Sequence, residues 1–73
     1  MIMDVNNFIP SFGDFVSWCK ESDIEQELMT SILFEFLNNP KKYNNEEIIR
    51  NYLSSKLPIN NYIQLSGRIF NVL

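Results

Sequence analysis

Histidine is missing from this chain altogether, and alanine with it. Without histidine the commonest general base and the commonest transition-metal ligand are both gone. Cysteine occurs once, as Cys19, so no intrachain disulfide can form and the fold must stand on packing. A zinc site needs several Cys or His ligands, and one thiol cannot supply it. Gly13 and Gly67 are the only glycines, and neither lies in a GxGxxG or GxxxxGK[ST] run that would cradle phosphate. No apolar stretch approaches the roughly 20 residues of a membrane span. Met1 to Phe8 carry Asp4 and no base, which is not the pattern of a signal peptide. These absences lead us to expect a non-enzymatic, cytoplasmic protein with no metal and no cofactor.

What is present describes a small folded domain. Hydrophobic residues make up 45% and aromatics 14% of the chain, too many for a disordered segment. With 73 residues there is room for one domain. A chain of that size hides only about 60% of its unfolded surface, so its core is thin. Ten asparagines and nine isoleucines point to an AT-rich coding sequence, such as that of a low-GC bacterium, phage or plasmid. The net charge of −3 is unevenly spread: residues 1–37 sum to −6 and residues 38–73 to +3. Such lopsidedness can steer association without specifying a fold.

Periodicity divides the chain into four helices behind an extended arm over residues 1–10, which folds back through Ile2, Val5, Phe8 and Ile9. Ser11 caps the first helix, Asp14 suits its dipole, and Phe12, Phe15, Val16 and Cys19 form one apolar stripe. Trp18 lies at the stripe's edge. Ser22-Asp23-Ile24-Glu25 reads as a capping box for the second helix. Ile24, Leu28, Met29, Ile32, Leu33, Phe36 and Leu37 cover more than half of that helix, which makes it the expected centre of the domain. Asn38-Asn39-Pro40 ends it. Asn44 to Glu47 start a third helix with a stripe of Ile48, Ile49, Tyr52 and Leu53, and Ser54 to Pro58 form the next break.

The last segment, residues 59–73, has two readings. Ser66-Gly67 can turn a hairpin between β-prone runs. The preferred reading is a helix, with Asn60, Asn61, Gln64, Gly67, Arg68 and Asn71 on a polar side and Ile59, Tyr62, Ile63, Ile69, Phe70 and Leu73 on an apolar one. Gly67 within a helix costs about 1 kcal/mol relative to alanine, tolerable where a neighbour packs closely. The expected architecture is therefore a small all-α, four-helix domain over residues 11–73, joined by short loops.

Ser11-Phe12-x-x-Phe15-Val16, Pro40-Lys41 and Ile48/Ile49-x-x-Tyr52-Leu53 together resemble the YozE-like family of small bacterial proteins, from Ser11 to the C-terminus. The resemblance implies a fold similar to the sterile alpha motif and a helical interaction module, with no reaction attached. The chain departs from the family at Leu37 and Asn39, where an acid and an aromatic usually precede the Pro-Lys pair. It departs again at Glu21-Ser22-Asp23, in place of a short turn.

Each candidate site has an ordinary reading beside a functional one. Phe34, among Glu27, Thr30 and Ser31, is either an exposed aromatic anchor of the type interfaces favour or plain core, and core is the expectation for a helix this apolar. Trp18 suits a half-wet interface, but in a small domain it more commonly closes the core's edge. Asp14, Glu21, Asp23, Glu25, Glu27 and Glu35 could face a basic partner, or imitate DNA phosphates; capping and surface solvation explain them more simply. Lys41, Lys42, Arg50, Lys56 and Arg68 could form a basic face, yet a pI near 4.6 and the lack of a reading motif argue against nucleic acid as the partner. Cys19 reads as a small hydrophobe. The residues therefore point to a protein-interaction module, with Trp18, Phe34, Glu21, Glu27, Lys41, Lys42 and Arg50 as contact candidates. It would self-associate through acidic (helices 1–2) and basic (helices 3–4) faces. Alternatives are a phage or mobile-element inhibitor that binds a host protein through its acidic face, and a weak nucleic-acid binder.

Overall fold

The computed structural model describes residues 5–70. Ile2 of the proposed arm, and Asn71 and Leu73 of the final stripes, lie outside them. A short 3-10 turn, Val5–Asn7, precedes four helices: α1 (Phe12–Glu21), α2 (Gln26–Asn38), α3 (Glu46–Lys56) and α4 (Ile59–Phe70). The described part of the arm does fold back, but as that turn and not as an extended strand. The Val5 N–H donates to the Pro40 carbonyl at 3.0 Å, and Val5 and Ile9 are fully buried.

Local chemistry sets the ends of α1. The Ser11 Oγ accepts from the Asp14 N–H at 3.1 Å, as the sequence predicts. At the other end Ser22 closes α1 and does not cap α2. The Asp23 N–H bonds the Lys20 carbonyl at 3.2 Å, and the Ile24 N–H reaches back to Cys19 at 3.0 Å. This paired closure requires a left-handed residue, and Asp23 supplies it with φ 60° where glycine is usual. The predicted capping box is thus taken up by the end of the preceding helix. Glu25 stands at the N-cap of α2 with no side-chain cap bond.

Helix α3 is capped one residue later than the Asn44–Glu47 pattern predicts, by the Asn45 side chain accepting from the Ile48 N–H at 3.0 Å. It runs into the predicted break as far as Lys56, with the Ser54 and Ser55 hydroxyls donating to the Asn51 and Tyr52 carbonyls at 3.0 and 2.7 Å. It stops at Leu57, held extended by the following Pro58. Over its described residues, 59–70, the last segment is helix, not hairpin. Gly67 has open space where a Cβ would stand, so close packing does not explain it.

Helices α1 and α3 each pack against both α2 and α4, so α2 occupies one corner of the bundle and not its centre. The radius of gyration is 11.2 Å, close to the roughly 11 Å of a folded domain of this length. At its middle, the fully buried Phe36 meets Phe15, Tyr43 and Tyr52, with ring centroids 5.8, 4.9 and 5.8 Å away. Tyr43 donates its hydroxyl to the Glu35 carboxylate at 2.5 Å. The same core takes in Cys19, Ile32, Ile49, Leu53, Leu65 and Ile69. Burial along α4 falls on Leu65, Ser66 and Ile69, so Ile59 and Ile63 of the predicted apolar side face solvent.

Candidate protein-interaction surface

A helix at a corner cannot bury a stripe wider than half its circumference. In α2 the excess lies outside: Phe34 is 60% exposed and Leu37 48%, whereas Phe36, between them in sequence, is fully buried. Phe34 is therefore not core, and Leu37 leaves the stripe to which its spacing assigned it. Glu27 stands two turns before Phe34 on the same side, about 10.5 Å along the axis. A shallow, open depression of about 830 Å³ runs over this face, lined by Glu25, Gln26, Glu27, Thr30, Ser31 and Phe34. Bounded by one helix, it is a surface to lie against and not an enclosed site for a small molecule.

The electrostatics of this face are one-sided. Helix α2 contains Glu27 and Glu35 and no Lys or Arg, and its last turn lacks a base to offset the helix's negative end. Glu35 is engaged by the Tyr43 hydroxyl and by Lys42, whose Nζ lies 3.7 Å away. Among the described residues, Glu25 and Glu27 have no ion pair.

The other predicted contact residues are placed differently. Trp18 is half-buried against the core, closing its edge. Glu21 pairs with Arg68 at 3.7 Å. Arg50 bonds Glu46 at 2.6 Å and lies 4.5 Å over the Phe70 ring. Hydrogen bonds to Tyr62 and Glu46 hold its pKa above the ordinary guanidinium value. Lys42 also sits 5.6 Å from the Tyr43 ring, and Lys41 is exposed beside it in the α2–α3 loop. The structure brings Phe34 and Glu27 onto one face and leaves Trp18, Glu21 and Arg50 in intramolecular roles.

Sequence reasoning missed a polar junction between α4 and the end of α1. The Asn61 side chain donates to the Ser22 carbonyl at 2.8 Å and to Asp23 at 3.3 Å. The Arg68 guanidinium donates to the buried Ser22 hydroxyl at 3.0 Å. Both residues belong to the predicted polar side of α4, and their partners 39 and 46 residues earlier explain their inward turn.

Cys19 is fully buried, and desolvation pushes its thiol up to about 12. Burial first, and the hydrogen bond to Glu35 second, likewise raise Tyr43 above the usual phenol value. Among the described residues no group of three or more His, Cys, Asp or Glu could hold a metal ion. No described helix is long and apolar enough to cross a membrane. No protein family, curated protein or solved structure matches the chain.

Proposed function

We propose that this protein is a non-enzymatic protein–protein interaction module that meets its partner with the outer face of α2. The observation that carries this reading is the exposed pair Phe34 and Leu37 on a helix with no base. Exposed apolar side chains rimmed by polar ones, here Glu27, Thr30 and Ser31, are the composition of a contact patch. A second reading, head-to-tail self-association, takes as the complementary surface Ile59 and Ile63, exposed on a helix without an acid. In its support, Lys41, Lys42 and Lys56 are exposed in the basic half, although Lys42, Arg50 and Arg68 are already paired with Glu35, Glu46 and Glu21.

A photo-crosslinking residue at position 34, introduced in the cells that encode the protein, tests both readings. A discrete adduct formed from position 34 but not from the exposed position 47 on α3 supports the α2 face. An adduct between two copies, with mass that rises with concentration in sedimentation velocity, supports self-association. No adduct at position 34 contradicts the proposal.

A further inference from the structure

We propose that the occupant of the outer α2 face is a basic amphipathic helix of another protein. This rests on the reading of α2 as the contact face and adds the chemistry of what binds there. An apolar side chain of the partner sits against Phe34 and Leu37, and a Lys or Arg about two turns away reaches Glu27 and Glu25.

Charge complementarity selects this occupant. The carboxylates of Glu25 and Glu27 have no ion pair among the described residues, unlike Glu21, Glu35 and Glu46, which are each held by a cation of the same chain. Helix α2 itself carries no Lys or Arg, and Lys42, which reaches it from the following loop, is held by Glu35 at 3.7 Å, far along the helix from Glu25 and Glu27. An acidic segment would meet repulsion from Glu25 and Glu27. A purely polar basic segment would leave Phe34 and Leu37 in water. A second copy is a weaker fit, because Ile59 and Ile63 are flanked by the neutral Asn60 and Gln64, and Arg68 on the same helix is turned inward to Ser22 and Glu21.

The test is fluorescence anisotropy with three labelled synthetic peptides of about 18 residues, five helical turns. One is amphipathic with Leu and Lys, one is its Leu–Glu counterpart, and one is a Lys–Ser peptide carrying the charge without the apolar stripe. The Leu–Lys peptide should bind at least about tenfold more tightly than either of the others. Phe34→Ser and Glu27→Lys should each weaken that binding about tenfold, which is about 1.4 kcal/mol, while Ile63→Ser leaves it unchanged. Circular dichroism of each variant establishes that it is folded. Equal binding of the Leu–Lys and Lys–Ser peptides, tight binding of the Leu–Glu peptide, or indifference to Phe34→Ser would overturn the proposal. If the position-34 crosslink captures a protein while the Leu–Lys peptide does not bind, the partner chemistry fails and the α2 face stands. If neither occurs, both fail. A crosslink between two copies makes a second copy the occupant and also overturns it.

Discussion

Helices α2 and α4 both leave apolar residues in solvent, Phe34 and Leu37 on one and Ile59 and Ile63 on the other, but α4 also turns polar side chains inward. Helix α2 leaves apolar residues outside, with Phe34 and Leu37 in solvent although Phe36 is fully buried. Helix α4 turns polar residues inward, with Asn61 and Arg68 gripping the end of α1 through Ser22 and Asp23. The polar contacts of α4 explain themselves within the chain, since each donor has a named acceptor. The exposed parts of Phe34 and Leu37 have no such partner among the described residues, and that difference separates a structural junction from the surface proposed for docking.

The largest expected effect breaks the α4 side. Arg68→Ala strips the buried Ser22 hydroxyl of its donor and should cost about 1.5–3 kcal/mol, the range for hydrogen bonds to charged groups. Urea denaturation measures it, and in a domain this small the loss is a large share of total stability. Phe34→Ser, by contrast, should change the same midpoint by no more than about 0.5 kcal/mol, because the side chain packs on little. A large loss from Phe34→Ser would return that residue to the core and remove the contrast.

Alkaline pH probes the shared core between the two helices. The Cys19 thiol is raised from 9.0 to about 12, and Tyr43 is raised as well. Both hold their protons more tightly folded than unfolded. The Cys19 contribution is therefore whole below about pH 9 and is lost as the pH climbs towards 12, by up to about 1.4 kcal/mol per pH unit, while that of Tyr43 begins to be lost only above the ordinary phenol value of 10. Denaturant midpoints should fall over that window, and Cys19→Val should flatten the decline. A Cys19 thiol that reacts with an exposed-thiol reagent in the native protein, at the rate of a free thiol, would contradict the burial.

Smaller effects sharpen the two helix ends. Asp23→Gly relieves a left-handed backbone and removes an acid from the negative end of α1, so it should stabilise by roughly 0.5–1 kcal/mol. Gly67→Ala fills open space on an exposed helical position and should stabilise by a similar amount, about 0.5–1 kcal/mol. Thermal melts of the two variants check both signs. A destabilised Gly67→Ala would mean that α4 is approached closely at that point after all.

Much of the fold was legible in the sequence because it is written in local chemistry. Ser11 announces a helix start and the Asn44–Asn45 pair another, Pro40 and Pro58 follow helix ends, and the α3 stripe falls on the core as spaced, as do Phe12, Phe15 and Cys19 of α1 but not Val16. What was not legible depends on partners distant in sequence. Ser22-Asp23-Ile24-Glu25 has the spacing of a cap, yet Ser22 is claimed by Arg68 from 46 residues away. The width of the α2 stripe suggested a central helix, because periodicity counts apolar residues without knowing how many neighbours will cover them. The candidate site was half legible. Phe34 and Glu27 could be named from their spacing, but whether Phe34 was core turned on the corner position of α2, and Leu37 joined it only there. Arg50 carried the look of a free cation until Glu46 and Phe70 were placed beside it.

The most direct test of the contrast is a ¹H–¹⁵N correlation spectrum recorded as the Leu–Lys peptide is titrated in. The account predicts shift changes concentrated on α2, over residues 25–38 and centred on Phe34 and Leu37, with the amides of Asn61 and Arg68 unmoved. Changes centred on Ile59 and Ile63, or spread evenly over all four helices, would contradict it.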